Sequence, residues 1–332
     1  MGEHAIENER DPATLRSFMQ RLIEEVRVLE HMLENGQIET GVTRLGAEQE
    51  LVLVDAGQRP ASRALELLEK IDDPHFTTEL ARFNIEINLD PLEIGADCFS
   101  RLHADLETLL AKARRRAQEL GFDVMMTGIL PTLEKDDMGL DNMTPMPRYY
   151  ALNRITREAR GRDFRFHING ADELSIRHES VMLEACNTSF QVHLQVAPDR
   201  FAHLYNLAQA AAGPALAAAV GSPLLFGRRL WHETRIALFQ QSLDTRKVAN
   251  HRRRQQTRVS FGDRWLDDSV LEIFRDDIAR FRLLLTNELG EDPWRMLERG
   301  ELPDLKALRM HNGTVYRWNR PCYGVAGDTA HL

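Results

Sequence analysis

Glu48 and Glu50 lie one residue apart in the amphipathic run from Gly46 to Asp55, and carboxylates at this spacing could bind a metal ion. Side chains alternate between the two faces of a β-strand, so both carboxylates project from the same side. Two like charges this close repel each other unless water or a cation lies between them. The pair therefore predicts a cation-binding face.

Two further runs pair an apolar face with a polar face of the same kind. The polar face of the first run carries Asn84, Glu86, Asn88 and Asp90, and that of the second carries Gln191, His193 and Gln195. An ordinary solvated sheet face is the alternative interpretation. Such faces usually mix basic side chains with acids, whereas residues 46–54, 84–90 and 190–196 contain no Lys or Arg. Carboxylates with an imidazole and without thiolates favour Mg²⁺ or Mn²⁺ over Zn²⁺. The predicted metal ligands are Glu48, Glu50, Glu86 and His193.

Composition limits the class of protein. The chain has 332 residues, of which 43% are hydrophobic and 28% charged, as in a soluble globular protein. Its net charge of −9 argues against a nucleic-acid binder, despite a basic cluster at 251–254. Three unevenly spaced cysteines form neither a disulfide framework nor a zinc motif. Because the first residues are polar and acidic, no signal peptide is expected. A cytoplasmic protein is expected.

The order of predicted elements indicates an α+β fold. Helices are expected at 12–35, 63–71, 99–120, 151–160, 231–241 and 269–289, and strands at 46–54, 84–90, 122–126 and within 163–196. This order lacks the strict βαβ rhythm of a parallel sheet, so a mainly antiparallel sheet is predicted. Residues 1–36 are interpreted as an N-terminal helical segment and 37–332 as the catalytic domain.

The stretch from Leu204 to Phe226 carries no formal charge and is long enough to cross a membrane. It consists largely of alanine, which contributes little transfer energy, so no membrane span is expected. A helix packed in the core and bent at Gly213-Pro214 is predicted instead.

A metal site of this type usually binds the phosphates of a substrate, which also require fixed positive charge. The candidates are Arg148, Arg154, Arg228, Arg229, Arg235, Arg246 and Lys247. An ordinary surface ion pair is the alternative for each of them. The chain contains neither a P-loop nor a Rossmann glycine motif, so any nucleotide phosphates would be bound through metals on the acidic sheet.

Four motifs in order carry a resemblance to a known family. The run 45–51 resembles the G-x-E-x-E motif of the glutamate–cysteine ligase family and its carboxylate–amine ligase relatives. Residues 83–88 are similar to that family's second acidic strand, 190–193 to its histidine strand, and 221–228 to its Ser-Pro segment. The resemblance covers roughly Thr43 to Leu332. It implies a glutamine-synthetase-like fold, in which an antiparallel sheet curves into a funnel with helices outside.

The resemblance also implies an activity and a role for each candidate. ATP would phosphorylate a small carboxylate substrate, and an amine substrate would attack the acyl phosphate. Glu48 and Glu50 would bind different metals, His193 would share a metal with Glu50, and Glu86 would complete another site. Arg235 would stabilise the transferring phosphoryl group with Arg228. Arg148, Arg229 and Arg246 would contact ATP.

The sequence departs from the family pattern in two places. It reads Thr127-Gly128-Ile129-Leu130-Pro131 where the family has a Thr-His-Pro turn, which puts the substrate in doubt. It also stops at Leu332, where family members continue into a strand that carries an Arg and a metal-ligating Glu. The C-terminal part of the domain is therefore expected to be missing.

Two other functions remain open at this point. One is a metal-dependent phosphotransferase or hydrolase that uses the same acidic face. The other is a catalytically impaired homologue that binds nucleotide or amino acid. The sequence leaves the substrate pair undecided, and a homo-oligomer is left open because the alanine-rich helix could face a partner copy.

Overall fold

A computed structural model describes residues 12–161, 163–246, 256–286 and 288–332, so the candidate Lys247 and the basic cluster at 251–254 lie outside the described residues. The helices are α1 Pro12–Glu34, α2 Ala64–Ile71, α3 Cys98–Glu119, α4 Pro147–Arg160, α5 Phe201–Ala218, α6 Thr234–Ser242, α7 Leu271–Arg280, α8 Pro293–Glu298 and α9 Lys306–Asn312. The strands are β1 Arg44–Val54, β2 Phe76–Thr78, β3 Asn84–Glu93, β4 Asp123–Met125, β5 Phe164–Asn169, β6 Glu173–His178, β7 Phe190–Gln195, β8 Leu224–Leu225, β9 Arg228–Arg229, β10 Gly324–Ala326 and β11 Thr329–His331. Short 3₁₀ turns occur at Lys135–Met138, Leu140–Asn142, Val181–Cys186 and Pro198–Arg200. The predicted α+β class is confirmed.

The main sheet is antiparallel and is built around β1. Its strand order is β2-β3-β1-β4, and β7 pairs with the same edge of β1 as β4 does. The register places Glu50 directly opposite Glu86 of β3, and Glu48 opposite Gln191 of β7. Directly opposed residues share a face of the sheet, so the polar faces predicted for β1, β3 and β7 form one continuous surface.

The other face of this sheet is covered by helices. Leu51, Leu53, Ile85 and Ile87 are fully buried in one apolar cluster with residues of α2 and α3. Burial of each such side chain contributes about 1.5–3 kcal/mol, which fixes the register strongly. This packing confirms the expectation of helices on the outer face and leaves the carboxylate face on the opposite side.

Helix α1 belongs to a second core region. It begins at Pro12 and ends before Gly36, whose φ of 67° lies in the left-handed region that stops a helix. Its buried face packs in one cluster with residues of α7 and α9. One polar residue lies on that face: Glu25 is buried, and its Oε2 accepts a hydrogen bond from the backbone N–H of Leu308 at 2.8 Å.

We expect Glu25→Gln to stabilise the protein in alkaline solution. Burial raises the pKa of Glu25 to about 7 from an ordinary value of 4.5, although the hydrogen bond from Leu308 opposes this. A raised folded-state pKa gives stability that is present below the unfolded pKa and is lost as the pH rises through about 7. Urea unfolding should therefore show a gain of about 2 kcal/mol for the variant at pH 8.5 and little change at pH 5. Glu34→Gln, at an exposed position of the same helix, is the control, and an equal gain in both variants would show that the effect does not come from the burial of Glu25.

The alanine-rich helix α5 differs from its prediction. It runs without interruption from Phe201 to Ala218 with Pro214 inside it, but only Phe201, Ala202 and Tyr205 are buried. The expected packing in the core was wrong, since most of the second half of the helix is exposed. Alanine has the highest intrinsic helix propensity, so such a sequence forms a helix without needing a buried face.

Across the described ranges, the structure contains no helix with the length and apolar character needed to cross a membrane.

Candidate active site

Three carboxylates converge on the polar face of the main sheet. Glu50 on β1 and Glu86 on β3 are cross-strand partners, and Glu79 follows the end of β2, the strand on the far side of β3. One ligand oxygen from each lies within 4.8 Å of the others. Glu86 is buried, and Glu50 and Glu79 are half-buried. We call these three residues the carboxylate cluster.

Burial and the charges of nearby carboxylates raise the pKa of every member of the carboxylate cluster. Burial, with the charges of Glu184 and Glu86, raises the pKa of Glu50 to about 8. Burial and the charges of its neighbours raise the pKa of Glu79 well above the ordinary value. Burial raises the pKa of Glu86, and the charge of Glu48 adds to that effect. In the metal-free protein the cluster therefore retains protons at neutral pH, and a divalent cation would take their place as the neutralising charge.

A fourth carboxylate lies behind the carboxylate cluster. Glu184 belongs to the 3₁₀ turn Val181–Cys186, and burial raises its pKa to about 7. Its charge contributes to the raised pKa of both Glu50 and Glu79. Glu184 therefore adds negative potential to the site.

Backbone and amide groups orient the cluster. The N–H of Ser189 donates to Glu50 Oε2 at 2.7 Å, and Asn88 Nδ2 donates to Glu86 Oε1 at 3.0 Å. A carboxylate held in this way keeps its other oxygen available to a ligand. Oxygen donors fixed in this manner suit Mg²⁺ or Mn²⁺, so the residues present fit the predicted metal.

Glu48 and His193 form a separate pair beside the cluster. His193 Nε2 lies 3.2 Å from Glu48 Oε1. Burial alone would raise the pKa of Glu48, but the hydrogen bond and charge of His193 outweigh it and hold the pKa below its ordinary value. The geometry differs from the pairing expected from the resemblance, because Glu86 rather than His193 faces Glu50. The reason is the strand register, which places His193 opposite Gly46.

Arg235 is close to the site but is engaged by protein groups. Its Nε and Nη2 each donate to the carboxylate of Glu233 at 2.8 Å, and its Nη1 donates to the carbonyl oxygen of Thr188 at 2.7 Å. Glu233 is buried, and although burial opposes it, the Arg235 guanidinium lowers the pKa of that carboxyl. Arg235 therefore supports the chain segment that precedes Ser189, the partner of Glu50.

Arg148 lies on the β2 side of the site. Its Nη2 donates to the hydroxyl of Tyr149 at 2.6 Å, and that hydroxyl donates to the carbonyl oxygen of Thr78 at 3.3 Å. Burial and the negative charge of Glu79 raise the pKa of Tyr149, so the field of the carboxylate cluster extends to this hydroxyl. The predicted role of Arg148 in contacting ATP stays a prediction.

The other predicted arginines lie on different elements. Arg228 and Arg229 form β9, and Arg229 is bidentate to Asp172 in the turn between β5 and β6. Arg246 Nε donates to the carboxylate of Asp244 at 2.9 Å. These contacts are of the ion-pair type considered as the alternative, and the proposed contacts with ATP stay predictions.

The departure at Gly128 has a physical reason. The Gly128 N–H donates to the carbonyl oxygen of Gly221 at 3.1 Å, and a Cβ at position 128 would lie 2.7 Å from that oxygen. It would also lie 3.0 Å from Cζ of Arg235. The backbone thus occupies the space in which a histidine side chain would begin.

Glu79 and Glu184 are the site residues that the sequence prediction missed. Glu79 continues by one step the alternation of Thr77, which lies opposite Glu86, but β2 has only three residues and gives no periodic signal in the sequence. For Glu184, in a short turn, the sequence offers no comparable pattern.

The family model of glutamate-cysteine ligase family 2 matches residues 44–271, more than half of the chain. A search of the curated proteins found no match.

Proposed function

This chain belongs to glutamate-cysteine ligase family 2, and on that premise we propose that it is an ATP-dependent carboxylate–amine ligase that requires Mg²⁺ or Mn²⁺. Family membership supports a ligase in general terms. The requirement for ATP and metal, and the acyl-phosphate route, are our proposals.

The convergence of Glu50, Glu79 and Glu86 within 4.8 Å is the observation that carries the proposal. Three carboxylates with raised pKa are costly to keep ionised side by side unless a cation binds them. We assign these residues to one divalent cation and the Glu48–His193 pair to a second. Bound metal would neutralise the charge on the phosphate oxygens of ATP.

In the proposed reaction, a carboxylate oxygen of the first substrate attacks the γ-phosphorus of ATP, and the bond to ADP breaks. The nitrogen of the second substrate then attacks the acyl carbon, phosphate leaves with the bonding electrons, and the nitrogen loses a proton. Both steps depend on alignment and charge stabilisation.

Several residues of the chain would hold the reactants in place. The Ser189 N–H and Asn88 Nδ2 orient two of the cluster carboxylates. Arg148, beside Tyr149 and Thr78, would contact ATP phosphates at the β2 edge. Arg235 fixes the segment before Ser189 and is our candidate for stabilising the transferring phosphoryl group.

The proposal includes a cytoplasmic location, in keeping with three cysteines that are all free thiols. The substrates would be a small-molecule carboxylate and amine, of which glutamate and cysteine are the first pair to try.

ADP release by the purified chain with Mg²⁺ and ATP, over a matrix of amino-acid carboxylates and amines, tests the proposal. We expect ADP only when both a carboxylate and an amine are present, because the amine completes the reaction. ADP without any amine would favour a phosphotransferase or ATPase. ATP binding without ADP release under every condition would contradict the proposed ligase and favour a nucleotide-binding protein.

A further inference from the structure

Arg320 lies on a firmly held segment next to the polar face of the main sheet. The residue before it, Asn319, exchanges two hydrogen bonds with Tyr205: its Nδ2 donates to the Tyr205 carbonyl at 3.0 Å, and its carbonyl accepts from the Tyr205 hydroxyl at 2.9 Å. The residue after it, Pro321, is buried, and its carbonyl accepts from Asn312 Nδ2 at 2.8 Å. The backbone is thus fixed on both sides, whereas the Arg320 side chain is exposed.

The guanidinium of Arg320 reaches the polar face at β7. Its Nη2 donates to the amide oxygen of Gln191 at 3.2 Å, and Gln191 lies directly opposite Glu48. Burial raises the pKa of Glu48, whereas the hydrogen bond and the charge of His193 lower it. The charge of Arg320 also lowers the pKa of Glu48, by a smaller amount. Among the residues that the structure describes, no carboxylate lies within ion-pair distance of Arg320. This arginine therefore offers most of its five N–H donors to a ligand.

Arg320 and the residues around Glu79 that are proposed to bind the ATP phosphates lie on opposite sides of β1. The strand order places β2, with Glu79 and Arg148 beside it, on one side of β1, and β7 with Arg320 on the other. Three inter-strand steps of about 4.8 Å lie between β2 and β7. A second anionic group could therefore bind at Arg320 while the ATP phosphates occupy the carboxylate cluster.

We propose that Arg320 binds the non-reacting carboxylate of an amino-acid substrate. The planar guanidinium matches a carboxylate with two parallel hydrogen bonds, and the neutral partner Gln191 keeps its orientation without cancelling its charge. This inference rests on the proposed ligase function and adds to it a group that selects amino acids. The carboxylate could come from the acyl donor or from the amine substrate, and the kinetic test distinguishes the two.

The test uses Arg320→Gln, Arg320→Lys and the control Arg101→Gln, at an exposed position on α3 on the opposite side of the sheet. A charge-assisted contact of this kind contributes a factor of about 10 to 100 in affinity. We expect Arg320→Gln to raise the KM of one amino-acid substrate by that factor, with kcat and the KM of MgATP within about twofold, and Arg320→Lys to fall between. The substrate whose KM rises identifies the source of the carboxylate. A matching rise in the KM of MgATP, or wild-type KM values for both amino acids, would overturn the proposal.

A binding measurement separates this proposal from the ligase activity. Calorimetric titration of wild type and variants with L-glutamate, L-cysteine and their α-carboxamides requires no turnover. We expect wild type to prefer one free acid over its carboxamide, and Arg320→Gln to lose that preference. This outcome supports the Arg320 assignment even if no ADP is released, whereas equal binding of acid and carboxamide by wild type, or no binding of either, overturns it.

Discussion

Glu50→Gln is expected to remove Mg²⁺-dependent ATP binding while making the metal-free protein more stable at high pH. Glutamine keeps the shape of the side chain and its ability to accept from Ser189, but it carries no charge for a cation. Loss of groups that merely orient metal ligands costs about 10- to 100-fold in affinity, so loss of a ligand should weaken MgATP binding by at least about 100-fold. Equilibrium binding of ATP with and without Mg²⁺ gives the value.

Although Glu50→Gln should weaken metal binding, it should stabilise the metal-free protein at high pH. The folded-state pKa of Glu50 is raised to about 8, so its contribution to stability is present below the unfolded pKa near 4.5 and is lost as the pH rises through about 8. Urea unfolding in EDTA at pH 9 should show a gain of about 2 kcal/mol. Glu93→Gln, an exposed position on β3, is the control. Unchanged ATP affinity in Glu50→Gln would remove this residue from the metal site.

Arg235→Gln is expected to destabilise the protein by about 3 kcal/mol, because it removes the cationic partner of the buried Glu233 carboxylate, which keeps only the N–H of Gly221 and the hydroxyl of Ser222. It also removes the donor to the Thr188 carbonyl, so the segment that orients Glu50 should loosen. Urea unfolding at pH 7.5 measures the first effect. The double variant Arg235→Gln, Glu233→Gln should regain most of the lost stability, since no buried charge remains.

The same pair of variants tests the predicted catalytic role of Arg235. If its guanidinium stabilises the transferring phosphoryl group, kcat should stay reduced by about 100-fold or more in the double variant after stability returns. Recovery of kcat together with stability would show that Arg235 acts only as a positioning residue.

The sheet could be predicted from the sequence because one of its faces is buried. Ile85 and Ile87 alternate with Glu86, and a slip of one residue would expose the apolar set, so the pattern fixes which side chains share a face. Membership of the polar face follows directly from that alternation. The contacts between residues of that face do not follow from the alternation. Whether His193 lies next to Glu48 or Glu50 depends on the register between β1 and β7, which strand periodicity does not determine.

The remaining parts of the site come from long-range packing. Glu79 lies just beyond a strand of three residues, too short for a periodic signal, and Glu184 reaches the cluster from a 3₁₀ turn. The expected burial of α5 was wrong because a segment without charge need not be buried when its side chains are small. An alanine-rich sequence has little side-chain surface to bury, so its composition predicts the helix better than its location.

Mn²⁺ titration, followed by the electron paramagnetic resonance signal of the free ion, tests the central claim most directly. We expect wild type at pH 7.5 to remove at least one ion from solution, ATP to strengthen this binding, and Glu79→Gln to weaken it by about 100-fold. The Glu79 variant gives the most decisive test, since only the convergence of Glu79 with Glu50 and Glu86 assigns this residue to the metal. Equal Mn²⁺ binding by wild type and Glu79→Gln, or none by wild type, would contradict the assignment of this cluster as a metal site.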